Sequence, residues 1–141
     1  MIMSDDSQPP TEPVDPELQE LAGRVFDKAR TGDTVSLAAY VDAGVPVDFA
    51  NQNGDTLVML AAYHGHADTV QALMDRGADV NRLNDKGQSP LAGALFKGED
   101  AVVRTLVAGG ADAMMGHPTA VDAARMFGRT DLLSLLEPKP E

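Results

Sequence analysis

The chain has 141 residues, enough for one modest domain, and its 22 acidic and 11 basic side chains give a formal net charge of −11. An acidic body repels phosphate backbones, so we expect no nucleic-acid partner. The negative charge either serves solubility alone or also attracts a basic partner. The absence of cysteine excludes disulfides, thiolate catalysis and zinc–thiolate sites.

Residues 1–17 differ in composition from the rest of the chain. This segment, "MIMSDDSQPPTEPVDPE", has four prolines, five acidic residues and no basic residue. It has too little apolar surface to offset the entropy of ordering, so we expect a disordered tail. The segment has neither the basic region nor the apolar region of a secretory signal peptide. No apolar run anywhere in the chain reaches the length of about 20 residues that spans a membrane. We therefore expect a cytoplasmic protein that does not enter a membrane.

The centre of the chain is an internal repeat. Residues 51–83 and 84–116 align without a gap at an offset of 33 residues, and "GADVN" in the first copy returns as "GADAM" in the second. The matching positions are turn glycines, a hydroxyl residue before an apolar run, and apolar residues at helical spacing. These are the features of one supersecondary unit that occurs twice.

Weaker copies flank this pair. Residues 18–50 keep the register but lack the turn motif, and residues 117–137 are about three residues short and stop after a second helix. Repeat arrays need atypical ends because their outermost faces meet water. We therefore predict one domain of four repeats over residues 18–137, followed by a short tail at 138–141.

Each central unit is predicted to be a pair of helices joined by tight turns. In residues 51–83, "NG" marks a turn, and Thr56 has the pattern of an N-cap before the apolar run "LVMLAA". Gly65 is predicted to end the first helix. The second helix carries an apolar stripe in "VQALM" and is predicted to end at Gly77.

These motifs resemble the ankyrin repeat. The residues that carry the likeness are "NGDTLVMLAAYHGH" with "GADVN", and "KGQSPLAGALFKGE" with "GADA". The resemblance implies an all-α ankyrin-repeat solenoid, in which helix-turn-helix units stack side by side and β-hairpin turns project from them. It also implies a binding role without catalysis, as in small bacterial proteins with three or four such repeats.

The chain departs from the family pattern at several positions. The family's T-P-L-H motif reads "TLVM", "SPLA" and "TAVD", so its histidine is missing from every unit. Only Pro90 supplies the proline, and Leu57 stands at the equivalent position, where we expect proline to increase stability. Gly93 lies inside a predicted helix at a cost of about 1 kcal/mol relative to alanine.

No residue pattern indicates catalysis. The sequence has no nucleophile elbow, phosphate-binding loop, dinucleotide fingerprint or H-E-x-x-H motif. The "HGH" at His64 to His66 could suggest a metal site, but no carboxylate is spaced to complete one, and the resemblance gives His66 a structural role. We therefore expect no enzyme activity, no metal and no cofactor.

The favoured function is the binding of a partner protein in the concave groove of the repeat array. We expect the chain to be a monomer. Two alternatives stay open: an inhibitor or immunity-type protein that masks a basic enzyme, and an accessory factor in a bacterial stress response. The resemblance implies that positions beside each turn glycine and before each helix-ending glycine face the groove. These positions are Arg30, Gln52, Asn53, Asp55, Tyr63, His64, Asp85, Lys86, Gln88, Phe96, Lys97, Met126 and Phe127.

Aromatic residues form a column within this set. Tyr63 and Phe96 lie 33 residues apart, Met126 continues the column, and Phe127 stands beside it. An exposed apolar patch with a polar rim is typical of a contact site. The alternative is that Phe96 and Phe127 fold inward and complete the core.

Overall fold

Eight helices alternate with glycine-containing turns in the part of the chain that the computed structural model describes, residues 16–136. They are α1 Pro16–Thr31, α2 Thr34–Asp42, α3 Leu57–Tyr63, α4 Ala67–Asp75, α5 Pro90–Lys97, α6 Asp100–Ala108, α7 Ala120–Met126 and α8 Thr130–Leu136. Of the predicted disordered tail at residues 1–17, residues 1–15 lie outside the described residues, and so does the predicted tail at residues 138–141. Pro16 and Glu17 are helical, so the prediction of disorder is wrong for these two residues. Helix α1 begins at Pro16, two residues before the predicted start of the first repeat, because proline at the first helical turn and Glu17 beside it favour a helix start.

The helices form two parallel layers. One layer contains α1, α3, α5 and α7, each packed against the next, and the other contains α2, α4, α6 and α8 in the same order. Each helix also packs against the other member of its own pair. The predicted all-α stack of helix-turn-helix units is therefore confirmed.

Hydroxyl residues immediately precede α3, α5 and α7. The side-chain oxygens of Thr56, Ser89 and Thr119 accept hydrogen bonds of 3.0–3.2 Å from the backbone N–H three residues further on. Such N-caps stabilise a helix by about 1 kcal/mol each. At the other end of α3, Gly65 has a φ of +83°, and a Cβ there would lie 2.5 Å from a carboxylate oxygen of Glu99. The predicted start and end of this helix are therefore confirmed.

The projecting turns are built on asparagine side chains. The Asn51 side-chain oxygen accepts hydrogen bonds from the backbone N–H groups of Asn53 and Asp55, and Asn84 does the same one repeat later. In residues 16–136 the β pairing in these turns is one isolated antiparallel bridge, between Ala50 and Thr56. Backbone hydrogen bonds also close each turn, since the Asn51 N–H donates to the Asp55 carbonyl and the Gly54 N–H to the Asn51 carbonyl. The predicted hairpins are therefore single tight turns, closed by both side-chain and backbone hydrogen bonds, without an extended two-stranded ribbon.

The core runs between the two layers. Leucines recur in it at corresponding positions, and the small residues Ala61 and Ala62 are fully buried. Leu57 is also fully buried, and this reverses the expectation that proline at this position would increase stability. The apolar contact that leucine makes is worth more than the entropy that proline would save.

Polar contacts link neighbouring repeats on the outside of the core. The His66 ring nitrogen Nε2 lies 2.7 Å from the Arg30 backbone oxygen, so His66 has the structural role that the resemblance implied. The guanidinium of Arg129 forms two 2.8 Å hydrogen bonds with the Asp100 carboxylate and also contacts Asp131. Hydrogen bonding from Arg129 lowers the pKa of both carboxyl groups.

Candidate functional site

Four large apolar side chains stand exposed around the carboxyl ends of α3, α5 and α7. Phe96 is 60% exposed, Met126 68%, Phe127 46% and Tyr63 37%. They lie at or beside the carboxyl ends of α3, α5 and α7, as the 33-residue offset predicts. The alternative in which Phe96 and Phe127 turn into the core does not occur.

A cleft of about 300 Å³ opens between these side chains. Small residues of α5 and α7, including Gly93 and Ala123, line it together with the exposed aromatic and methionine side chains. Because these small residues do not fill the space between larger neighbours, the surface has a depression. The full lining is Met59, Tyr63, Gln88, Ala92, Gly93, Phe96, Pro118, Ala123, Met126 and Phe127.

The two phenylalanines form one wall of the cleft. Their ring centroids are 5.5 Å apart and the rings are inclined at 70°, an edge-to-face arrangement. Such pairs contribute about 0.5–1.5 kcal/mol beyond the area that they bury. Phe96 and Phe127 therefore hold each other in place although both stay substantially exposed.

Two nitrogen-containing side chains flank the Tyr63 ring. The Lys97 ammonium lies 4.9 Å from the ring centroid, within the range of a cation–π contact. The His64 ring meets Tyr63 edge to face, with centroids 5.7 Å apart. The sequence predicted all three as site residues, and the structure brings them together at one end of the cleft.

The pKa of His64 is lowered from 6.5, chiefly because neighbouring atoms displace water from the ring although part of it stays exposed. The positive charges of His66, Lys97 and Arg30 lower it further, and the Glu99 carboxylate opposes them. The folded protein thus favours the neutral imidazole next to Tyr63.

The predicted site residues fall into separate groups. Five of them line the cleft: Tyr63, Gln88, Phe96, Met126 and Phe127. Lys97 and His64 contact Tyr63 at its edge. Arg30, Gln52 and Asn53 instead line a larger, open cleft at the first repeat, between α1 and the segment 43–53.

The remaining three predicted residues belong to projecting turns. Asp55 accepts a 2.8 Å hydrogen bond from the side-chain amide of Asn84, and that amide also donates to Gln88 in the cleft wall. Asp85 and Lys86 are exposed at the next turn. Asp55 is therefore connected to the cleft through Asn84 and Gln88. Asp85 and Lys86 do not line the cleft.

Half of the residues that line the cleft were not predicted from the family pattern. Met59, Ala92, Gly93, Pro118 and Ala123 line it but were not predicted as site residues. The signal that could have found them was Gly93, since a glycine inside a helix costs stability and calls for a local reason. Within residues 16–136 no three histidine or carboxylate side chains group as metal ligands, and no helix is long and apolar enough to cross a membrane.

Comparison with known proteins agrees with the repeat architecture. A family model described as ankyrin repeats in three copies matches residues 27–116. The chain is also similar to a protein of Pseudomonas aeruginosa described as an ankyrin repeat protein, with 45% identity over 62 residues. These residues are 44% of this chain and 36% of that protein, so the match spans little more than a third of the relative.

Proposed function

Because the chain belongs to the ankyrin repeat family, whose repeats generally mediate protein–protein interactions, we propose that it holds a partner protein in the cleft between α3, α5 and α7. In this proposal the protein acts without catalysis. Its task is to recognise one surface of the partner and to keep that surface covered or in place.

The observation that carries this proposal is the exposed cluster of Tyr63, Phe96, Met126 and Phe127 around one depression. Large aromatic side chains that stand in solvent lose hydrophobic stabilisation that burial would give them. A contiguous apolar patch with a polar rim is typical of an interaction site, and aromatic anchors dominate the energy of many interfaces. The cluster therefore has the composition of a binding hot spot.

The net charge of −11 favours a basic partner surface, because opposite charge speeds encounter and disfavours acidic competitors. This observation also supports a second candidate function, in which the protein inhibits a basic enzyme by masking it. Loss of the enzyme's activity on binding, together with weaker affinity at higher ionic strength, would support inhibition. Unchanged activity in the complex would exclude it.

Site-specific photo-crosslinking in the native cell tests the proposal. A photoreactive phenylalanine analogue at Phe96 should crosslink one protein, and the same analogue at Val35, which is 82% exposed on α2, should not. The purified partner should then bind the wild-type protein and lose at least tenfold in affinity for the Tyr63→Ala, Phe96→Ala double variant. Binding of the double variant with wild-type affinity would exclude the cleft as the site.

The double variant is suited to this test because neither side chain belongs to the buried core: Phe96 is 60% exposed and Tyr63 37%. Its folding cost is the loss of surface contacts, those of Phe96 with Phe127 and of Tyr63 with His64 and Lys97. We expect the far-ultraviolet circular dichroism to be unchanged and the melting temperature to fall by only a few degrees. A fully unfolded double variant would contradict the described exposure.

A further inference from the structure

Gly93 separates the larger side chains around the cleft. An added Cβ at this position would lie 3.6 Å from Cδ1 of Tyr63 and 3.9 Å from the sulfur of Met59. All three residues line the cleft, so a longer side chain at position 93 would extend into the space between them. The equivalent position carries Leu60 in the preceding repeat and Ala123 in the following one. The depression is therefore a specific feature of this sequence and not a necessary result of stacking repeats.

The chemistry of the lining favours an aromatic occupant. Three aromatic rings and two methionine side chains surround the space, and Gln88 is its polar member. Aromatic rings gain from edge-to-face contact with other rings, and methionine sulfur makes favourable contacts with ring edges. A volume of about 300 Å³ suits one large side chain better than a whole peptide segment.

Charged groups on the side of the projecting turns indicate what should stand next to that aromatic side chain. The Asp55 carboxylate connects through the Asn84 amide to Gln88 in the cleft wall. Asp122 is exposed on α7 at the position equivalent to Ala92, which lines the cleft. Lys97 is already placed over the Tyr63 ring. Asp55 is half-buried and Asp122 is exposed, so basic residues of a partner can approach both carboxylates.

We infer that the cleft is an anchor pocket for one aromatic side chain of the partner protein, flanked in the partner by lysine or arginine, and that the absence of a side chain at Gly93 keeps it open. This inference rests on the proposed function and makes it more specific. It assigns Gly93 as the residue that determines which anchor fits, while Asp55 and Asp122 select the basic flank.

Short capped peptides test the inference directly. The protein has no tryptophan, so the fluorescence of a tryptophan probe reports binding without a protein background. Acetylated, amidated Lys-Trp-Lys should bind to the full chain at low salt and perturb the amide resonances of Phe96 and Phe127. Glu-Trp-Glu should bind at least tenfold more weakly, and Lys-Leu-Lys should compete at least fivefold less well. Equal affinity for the acidic or the leucine peptide would overturn the corresponding part of the inference.

Gly93→Leu is the decisive variant, because it fills the cleft and replaces glycine by a better helix former. It should lower Lys-Trp-Lys affinity at least tenfold, while Val35→Leu, which adds apolar volume to an exposed site on α2, should leave the affinity unchanged. If Gly93→Leu does not fold, Gly93→Ala replaces it, because the smaller side chain preserves the fold. Gly93→Ala should lower the affinity for Lys-Trp-Lys by about threefold. Wild-type affinity in the folded Gly93→Leu or Gly93→Ala variant would show that the cleft is not the anchor pocket.

Binding of the crosslinked partner separates this inference from the proposed function. A partner that binds Gly93→Leu normally but not the Tyr63→Ala, Phe96→Ala variant uses the aromatic surface without the pocket, so only the inference fails. A partner that binds both variants normally does not use this surface, and the proposed function then fails as well.

Discussion

Replacing Gly93 with alanine should raise the free energy of unfolding by about 1 kcal/mol. Glycine in a helix interior is about 0.8–1 kcal/mol less favourable than alanine, because the unfolded chain has more backbone freedom to lose. The new methyl group meets no obstacle, since its nearest neighbours, Tyr63 and Met59, lie at ordinary van der Waals distances of 3.6 and 3.9 Å. For a domain of this size, the gain corresponds to a melting temperature about 4 °C higher.

Gly98→Ala is the matched control, because it makes the same chemical change five residues later. Gly98 ends α5 with a φ of +73°, and a Cβ there would have no atom within 4 Å. The control therefore isolates the cost of a positive φ, about 1–2 kcal/mol, and should lower the melting temperature. Urea unfolding followed by circular dichroism measures both changes. A Gly93→Ala protein no more stable than wild type would mean that α5 is not held as a helix through position 93.

Three further predictions concern packing and charge. Leu57→Pro should lower the free energy of unfolding by about 1–2 kcal/mol in urea titrations, because it removes a fully buried side chain; a stabilised variant would contradict the burial. The His64 ring should titrate below 6.5 by NMR, and Glu99→Gln should lower its pKa further; a value above 6.5 would reverse the assigned cause. The unfolded chain, in which His64 has its ordinary pKa of 6.5, binds the proton more tightly than the folded protein. The contribution of His64 should therefore make the protein less stable as the pH falls from above 6.5 through the lower pKa of the folded state. Arg129→Gln should move acid unfolding to higher pH, because the lowered pKa of Asp100 gives stability that is lost as the pH falls through that pKa; an unchanged acid midpoint would show that the ion pair is not formed.

The repeat period predicted most of the fold because local chemistry sets each helix boundary. Thr56 has a hydroxyl that can cap a helix, and Gly65 tolerates the positive φ that ends it, so neither assignment needed knowledge of distant contacts. The column of Tyr63, Phe96 and Met126 followed from the same period, since residues at one repeat offset occupy equivalent places in a stack.

The repeat period could not predict that a cleft opens on the surface, nor which individual side chains are buried. Whether Leu57 faces the core or the turn depends on how closely neighbouring repeats approach, which the period does not state. Gly93 appeared in the sequence only as a helix-weakening residue, and its role in the cleft emerged from its position between the side chains of an adjacent helix. The asparagine-based turns were predicted as hairpins because turn glycines do not distinguish an extended two-stranded ribbon from a single tight turn.

The cleft takes its walls from three different helix pairs, and this ties ligand release to the last of the described pairs, α7 and α8. Among residues 16–136 this pair packs against one neighbouring pair rather than two, so it opens by itself more readily than α5 and α6. When α7 and α8 detach by local unfolding, Met126 and Phe127 are lost from the cleft wall. A bound partner side chain therefore makes this local unfolding less favourable by up to its own binding free energy. Amide hydrogen exchange in α8, which contributes nothing to the lining, should slow on binding as much as exchange in α7, whereas α1 should change less. The lifetime of the complex would then be limited by how often the last helix pair detaches.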